Sequence, residues 1–126
     1  MTKYVVDSFA WIAYLDGSSA RARDAIENGE SRLITPLIVF SEVVSKVKRK
    51  GMDHNPALQA MLANSVIIEA DVSLATAAAI LHAETRQRIK DFSLPDAYVL
   101  ATARRLKARI LTGDIHFKGF KEAVMI

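Results

Sequence analysis

The sequence predicts an α/β domain in which a central, mainly parallel sheet of four to five strands is covered by helices on both faces. Short apolar runs alternate with longer segments of helical periodicity, the arrangement that right-handed crossovers convert into parallel strands. The 126 residues suffice for one domain with a proper core, spanning positions 1–126, and are too few for two. Four acids, Asp7, Glu42, Asp96 and Asp114, each lie at or one helical turn beyond the end of an apolar run, where such a chain emerges from its buried layer.

In chain order, residues 3–6 read as a short buried strand and Ser8–Leu15 as a helix closed by Asp16-Gly17-Ser18. A polar helix follows over about 19–28, with Asn28-Gly29 as its stop. Arg32-Leu33-Ile34 forms the second strand. Thr35 and Pro36 then read as N-cap and first-turn proline of a helix that runs to about Lys50 and is stopped by Gly51. Leu37, Phe40, Val44 and Val47 recur on it at helical spacing, which predicts that this stripe faces the core. Asn55-Pro56 opens a shorter helix to Ala63, and residues 65–70, with Val66-Ile67-Ile68, form a third strand. Ser73 caps an Ala-rich helix to about Arg88 and Ser93 caps another through Lys107. Arg109–Thr112 is a fourth strand and residues 122–125 a fifth.

An apolar fraction of 51% beside 25% charged residues is that of a folded, soluble chain rather than a disordered one. No apolar stretch reaches the length of a membrane span, and Asp7 arrives before a signal-peptide core could form, so a cytoplasmic protein is expected. The lack of cysteine excludes disulfides and thiolate metal sites and fits a reducing compartment. The formal charge is +3, unevenly spread: Lys46, Lys48, Arg49 and Lys50 form one basic group and Arg104, Arg105, Lys107 and Arg109 another. With the four acids set aside the remaining surface is basic, which favours a polyanionic partner. Basic helix ends are also ordinary solvated faces that complement the helix dipole.

Each acid has an ordinary role that competes with a functional one. Asp7 ends the first strand, where ligands gather in open α/β sheets, yet it or Ser8 also suits the cap of the next helix. Glu42 lies off the Phe40 and Val44 stripe and is spaced to pair with Lys46. Asp96 follows Ser93 at capping-box spacing. Asp114 comes after Thr112-Gly113, a turn signal, and repeats the placement of Asp7. Independent caps and turns rarely produce all four placements together. Carboxylates brought to about 3 to 4 Å raise one another's pKa and destabilise the fold unless a cation neutralises them, so the set predicts a divalent metal site. Oxygen donors without Cys or clustered His suit Mg²⁺ or Mn²⁺ rather than structural zinc, and such ions support attack of water on a phosphodiester. His54, His82 and His116 are scattered and read as structural or solvent-facing. The chain has no nucleophile elbow, Walker A loop or dinucleotide-binding glycine fingerprint, which argues against a serine hydrolase, a P-loop NTPase or a dinucleotide enzyme.

The segment Val5-Val6-Asp7-Ser8-Phe9-Ala10-Trp11-Ile12, with Ser41-Glu42-Val43, Leu94-Pro95-Asp96-Ala97 and Ala101-Thr102-Ala103, and Leu111-Thr112-Gly113-Asp114 with Phe117, resembles the PIN-domain nucleases. In length and motif spacing it is similar to the VapC-type toxins of VapBC toxin–antitoxin pairs. The resemblance spans nearly the whole chain. It implies a PIN-like, Rossmann-like three-layer α/β/α sandwich, a homodimer, and Mg²⁺- or Mn²⁺-dependent cleavage of single-stranded or loop RNA leaving 5′-phosphate and 3′-hydroxyl ends. It also implies a VapB-like antitoxin whose tail occupies the acidic groove. On this reading Asp7, Glu42, Asp96 and Asp114 would be metal ligands or water activators, Ser8 and Thr112 would orient carboxylates, and Lys46 and Arg49 would hold RNA backbone. Trp11 and Tyr14 could stack on bases, although aromatic residues beside a first strand are more often core or dimer contacts. Some relatives carry a further acid two residues past the Asp114 position, where this chain has His116, which leaves the number of metal ions open. Two rivals remain: a non-catalytic RNA- or partner-binding module, and an RNA-processing nuclease outside toxin–antitoxin systems.

Overall fold

The structure, a computed structural model, describes all residues Met1–Ile126. β1 (Thr2–Val6) ends in the buried pair Val5 and Val6, and Asp7 stops it by capping α1 (Ser8–Leu15). The Ala10 N–H donates to Asp7 Oδ1 at 2.8 Å, satisfying one of the free amides at the helix start. Ser19 caps α2 (Ala20–Glu27) in the same way, and β2 (Ser31–Pro36) follows. The chain continues through α3 (Leu37–Arg49), α4 (Asn55–Asn64), β3 (Val66–Ile68), α5 (Val72–Thr85), α6 (Leu94–Leu106), β4 (Arg109–Thr112) and β5 (Ala123–Met125). A single 3₁₀ turn, Ile115–Phe117, lies between β4 and β5.

The five strands form one parallel sheet in the order β3-β2-β1-β4-β5, as the alternation of elements predicts. From β1 the chain winds outwards through β2 to β3, then returns through α5 and α6 to β4 on the other side of β1. The connections that leave β1 and β4 therefore diverge. Open α/β sheets bind ligands in the crevice that such a divergence leaves beyond the carboxyl ends of the strands. Asp7 stands directly after β1, and Asp114 two residues after β4.

Trp11, Phe92 and Phe117 are the largest side chains with no exposure. The Trp11 indole N–H donates to Thr35 Oγ1 at 3.0 Å, and the Thr35 hydroxyl is also bonded to Ser65 Oγ at 2.8 Å, so the polar atoms inside this part of the core are satisfied. Phe92 packs edge-on against Phe117 with ring centroids 5.8 Å apart, and both rings meet Phe120. Phe92 directly precedes the Ser93 cap of α6, and Phe117 closes the 3₁₀ turn. The trio thus fastens the start of α6 to the segment that follows β4.

Several local expectations change. Thr35 does not cap α3: it belongs to β2, its hydroxyl is held by Trp11 and Ser65, and Pro36 takes the cap position without a side-chain bond. The buried row of α3 is Val39, Val43 and Val47, with Phe40 and Val44 half-buried and Leu37 42% exposed. Leu37 lies in the first turn and opens onto a groove of about 490 Å³ shared with Ile68, Leu74 and Tyr98 instead of meeting the core. Asp71, not Ser73, caps α5 by accepting from the Leu74 N–H, while the Ser73 hydroxyl accepts from Arg105. That helix ends at Thr85, and β3 keeps three residues because it is an edge strand paired with β2 alone. Trp11 is sealed in the core and cannot stack on a base.

The second basic group also lies away from the acids. Arg104 pairs with Glu122 at 3.0 Å and Arg105 with Asp71 at 3.1 Å, in the last turn of the helix whose first turn carries Asp96. At about 1.5 Å per residue Arg104 is about 12 Å further along the axis, towards the opposite edge of the sheet. No helix is long and apolar enough to cross a membrane.

Trp11→Phe removes the indole N–H and part of the core volume. The urea midpoint is expected to fall by the equivalent of about 1 to 3 kcal/mol at an unchanged m-value. An unaltered midpoint would mean that the Trp11–Thr35 contact contributes nothing.

Candidate functional site

Four segments meet at the crevice: the end of β1 with Asp7, the second turn of α3 with Glu42, the first turn of α6 with Asp96, and the stretch after β4 with Asp114. Asp7 is only 4% exposed. One carboxylate oxygen caps α1 and the other accepts the Thr112 hydroxyl. Thr112 Oγ1 in turn accepts from the Asp114 N–H at 2.9 Å, so one buried hydroxyl ties together the acids that follow the two central strands. Burial pushes the Asp7 carboxyl up to about 7; the bonds from Thr112 and Ala10 oppose the shift, and the charges of Asp114 and Asp96 add to it.

Asp96 has both of the roles its sequence context allows. Its carboxylate accepts from the Ser93 N–H at 2.9 Å while the Ser93 hydroxyl accepts from the Asp96 N–H at 3.1 Å, a complete capping box. Burial raises its pKa, the Ser93 bonds oppose this, Asp114 raises it further and His116 lowers it. Glu42 is half-buried; desolvation raises its pKa, Lys46 counteracts and Asp96 reinforces. Each of the four acids therefore lies in the field of at least one other.

His116, read from the sequence as structural or solvent-facing, belongs to this cluster. Its Nδ1 lies 3.3 Å from Asp114 Oδ1 and 3.7 Å from Asp96 Oδ2. One ligating atom from each of Asp96, Asp114 and His116 falls within 4.8 Å of the others. Such spacings suit donors to a common hard cation, whose adjacent ligands at bonds of about 2.1 Å stand about 3 Å apart and opposite ones about 4 Å. The ring returns over the acids because the His116 N–H donates to Asp114 Oδ1 at 2.9 Å, curling the chain in an Asx turn. An Asp two residues upstream at a strand end was the available signal.

The supporting residues divide. Thr112 orients a carboxylate as expected, but the Ser8 hydroxyl takes Lys46 Nζ at 3.4 Å and bonds to no acid. Lys46 thus stands between Ser8 and Glu42, while Arg49 donates to Ser45 Oγ at 2.8 Å and lies about 10 Å along α3 from Glu42. Tyr14 donates to Glu27 across α1 and α2 and takes no part in the crevice. Gly113 lets the Phe9 ring lie on the Thr112-Gly113-Asp114 segment: a Cβ there would overlap this half-exposed ring and displace it.

A parallel sheet of this order with acids at its carboxyl edge fits a PIN domain, and the chain belongs to the PIN-domain family, whose profile matches residues 4–123. Among solved structures, a toxin–antitoxin complex from Klebsiella pneumoniae is 25% identical, with 97% of this chain and 96% of that chain covered at a TM-score of 0.74. VapC20 of Mycobacterium tuberculosis, described as a sarcin-ricin loop cleaving toxin, is 20% identical over 98% and 99% of the two chains at a TM-score of 0.75. VapBC2 from Rickettsia felis, bound to promoter DNA, is 18% identical over 99% and 98% at a TM-score of 0.75. The fold of five parallel strands and six helices is the one these VapC structures share. Curated protein sequences yield no significant match.

The raised Asp7 carboxyl has a defined pH consequence. Its ordinary value is 3.8 and its folded value about 7, so between them the folded chain binds more protons than the unfolded one. Stability in chelator is therefore expected to fall as pH rises from about 4 to about 7, with Asp96 and Glu42 acting in the same direction. Urea unfolding of wild type and Asp7→Asn across this interval tests it. The variant should show the shallower decline, and equal slopes would contradict the assignment.

Proposed function

We propose that this protein is a divalent-metal-dependent endoribonuclease acting on single-stranded or loop RNA, and the toxin of a toxin–antitoxin pair. The observation that carries the reading is the convergence of Asp7, Glu42, Asp96 and Asp114 on the crevice beyond β1 and β4 of a PIN-domain chain. The donor set fits a hard cation. Oxygen ligands predominate, burial and neighbouring acids raise Asp7, Glu42 and Asp96, and a partnerless imidazole nitrogen faces Asp96 and Asp114. Asp96 and Asp114 would hold Mg²⁺ or Mn²⁺, with Asp7 and Glu42 completing the acidic wall. A cation bound there supplies charge neutralisation at the phosphodiester and lowers the pKa of the attacking water.

The chain's own residues do the rest. Thr112 fixes the Asp7 carboxylate with its hydroxyl proton and the Asp114 backbone with its oxygen, and the Ser93 capping box fixes Asp96. Glu42, raised by burial yet less enclosed than Asp7, accepts the proton released from water on a carboxylate oxygen. Lys46 beside it meets the RNA backbone, and the exposed Arg49, further along α3, follows the next phosphates. The fold shared with a toxin described as cleaving the sarcin-ricin loop supports RNA as the substrate. Likeness to a toxin–antitoxin complex supports an antitoxin partner, whose basic tail the acidic groove would take; a homodimer acting in the cytoplasm completes the proposal.

The test is incubation with a mixed RNA pool in Mn²⁺, with and without chelator, beside Asp96→Asn. Asparagine keeps an oxygen for the Ser93 N–H, so the helix cap survives. Cleavage should vanish in chelator and fall on the order of 100-fold in the variant. Chelator-insensitive cleavage, or a variant as active as wild type, would remove the nuclease reading. For the pairing, a small DNA-binding protein with an Arg-containing tail, encoded immediately upstream, should co-purify with the chain and suppress cleavage.

A further inference from the structure

The polar side-chain atoms of the crevice that are closed off from solvent have partners in the fold, with one exception. Asp7 is bonded through both oxygens, Asp96 and Asp114 each accept a backbone amide, and Thr112 both donates and accepts. His116 Nδ1 is the exception: it is closed off from solvent and has no hydrogen-bond partner. Asp96 Oδ2, at 3.7 Å, is beyond hydrogen-bond range, and Asp114 Oδ1, at 3.3 Å, makes no hydrogen bond with it. The nitrogen is nevertheless held in place, since its own backbone N–H is tied to Asp114 and the next residue, Phe117, is fully buried against Phe92.

From this geometry we infer that His116 is a nitrogen ligand of the metal site and sets its ion preference, favouring first-row transition ions such as Mn²⁺ and Co²⁺ over Mg²⁺. The inference rests on the metal-dependent reading above and deepens it. Its separations from Asp114 and Asp96 are those of neighbouring positions around one ion, and ligating atoms from all three residues lie within 4.8 Å. Mg²⁺ takes oxygen almost exclusively and keeps several waters, whereas imidazole binds transition ions in an order that strengthens from Mn²⁺ through Co²⁺. A third carboxylate at position 116 would leave an all-oxygen set without that bias. The competing role for His116 is a cationic counter-charge to Asp96 and Asp114. The two roles predict opposite signs: loss of a ligand weakens metal binding, whereas loss of a resident cation strengthens it.

Calorimetric titration of the full-length chain with Mn²⁺, Co²⁺ and Mg²⁺, each alone, separates them, together with pulsed EPR of the Mn²⁺-loaded protein. His116→Ala is expected to weaken Mn²⁺ and Co²⁺ at least about tenfold and Mg²⁺ by less than about threefold, and to abolish nitrogen hyperfine coupling to bound Mn²⁺. His116→Asp, which returns an oxygen donor, should recover Mg²⁺ binding and so guards against mere misfolding. Equal weakening for all three ions, tighter binding of all three, or wild-type Mn²⁺ bound without nitrogen coupling would each overturn the inference and leave the metal-dependent nuclease standing. A wild-type chain that binds none of the ions, or an Asp96→Asn chain that binds them like wild type, would instead overturn the metal site on which the inference rests.

Discussion

Negative charge crowded into a buried crevice is the constraint around which this chain is organised. Asp7 is almost completely enclosed and shares its field with Asp96 and Asp114, an arrangement that opposes folding on its own. Apolar contacts behind the acids keep the segments from separating. Phe92 against Phe117 holds the start of α6 beside the turn after β4, and Phe120 backs both rings. The Thr112 hydroxyl restrains the acid beyond β1 from inside β4.

Local backbone dipoles relieve part of the same repulsion. Asp7 caps α1, Asp96 occupies the first turn of α6, and Asp114 caps the 3₁₀ turn, so each aspartate meets the partial positive charge of free N–H groups. The structural and functional readings of these residues are thus not alternatives. One carboxylate oxygen of each caps a helix or turn, and at Asp96 and Asp114 the other oxygen has no hydrogen bond within the fold. Asparagine at these positions retains a capping oxygen and loses the charge, which is why amide substitutions separate the two roles more cleanly than alanine.

Much of this was legible in the sequence because it is locally encoded. An acid after an apolar run marks a strand end, and the Ser93-to-Asp96 capping box is a short-range pattern; α1 and β4 have the predicted bounds. The misreadings come from contacts between distant positions. Thr35 has a cap-like context, but Trp11, 24 positions upstream, takes its hydroxyl. α3 is apolar over so broad an arc, from Leu37 to Val47, that periodicity alone cannot choose its rotation; packing against α1, α4 and β2 selects Val39, Val43 and Val47. The sequence marks His116 as a departure from the further acid of some relatives and otherwise reads it as structural or solvent-facing, because its place over the acids depends on how the backbone turns after Asp114. The second basic group was visible as charge, yet its remoteness from the acids follows only once α6 is known to start at their edge.

The bond between Thr112 and Asp7 joins positions 105 apart. β1 lies between β2 and β4, and its pairing with β4 brings the first and last of the four acids together. A chain still being made on the ribosome, with β1 to β3 and their helices already outside the exit tunnel, would carry Asp7 and Glu42 but have no complete acidic pocket. The acidic pocket of this PIN domain is in this way missing throughout most of the chain's own translation, because the final carboxylates arrive late and only strand pairing sets them in place.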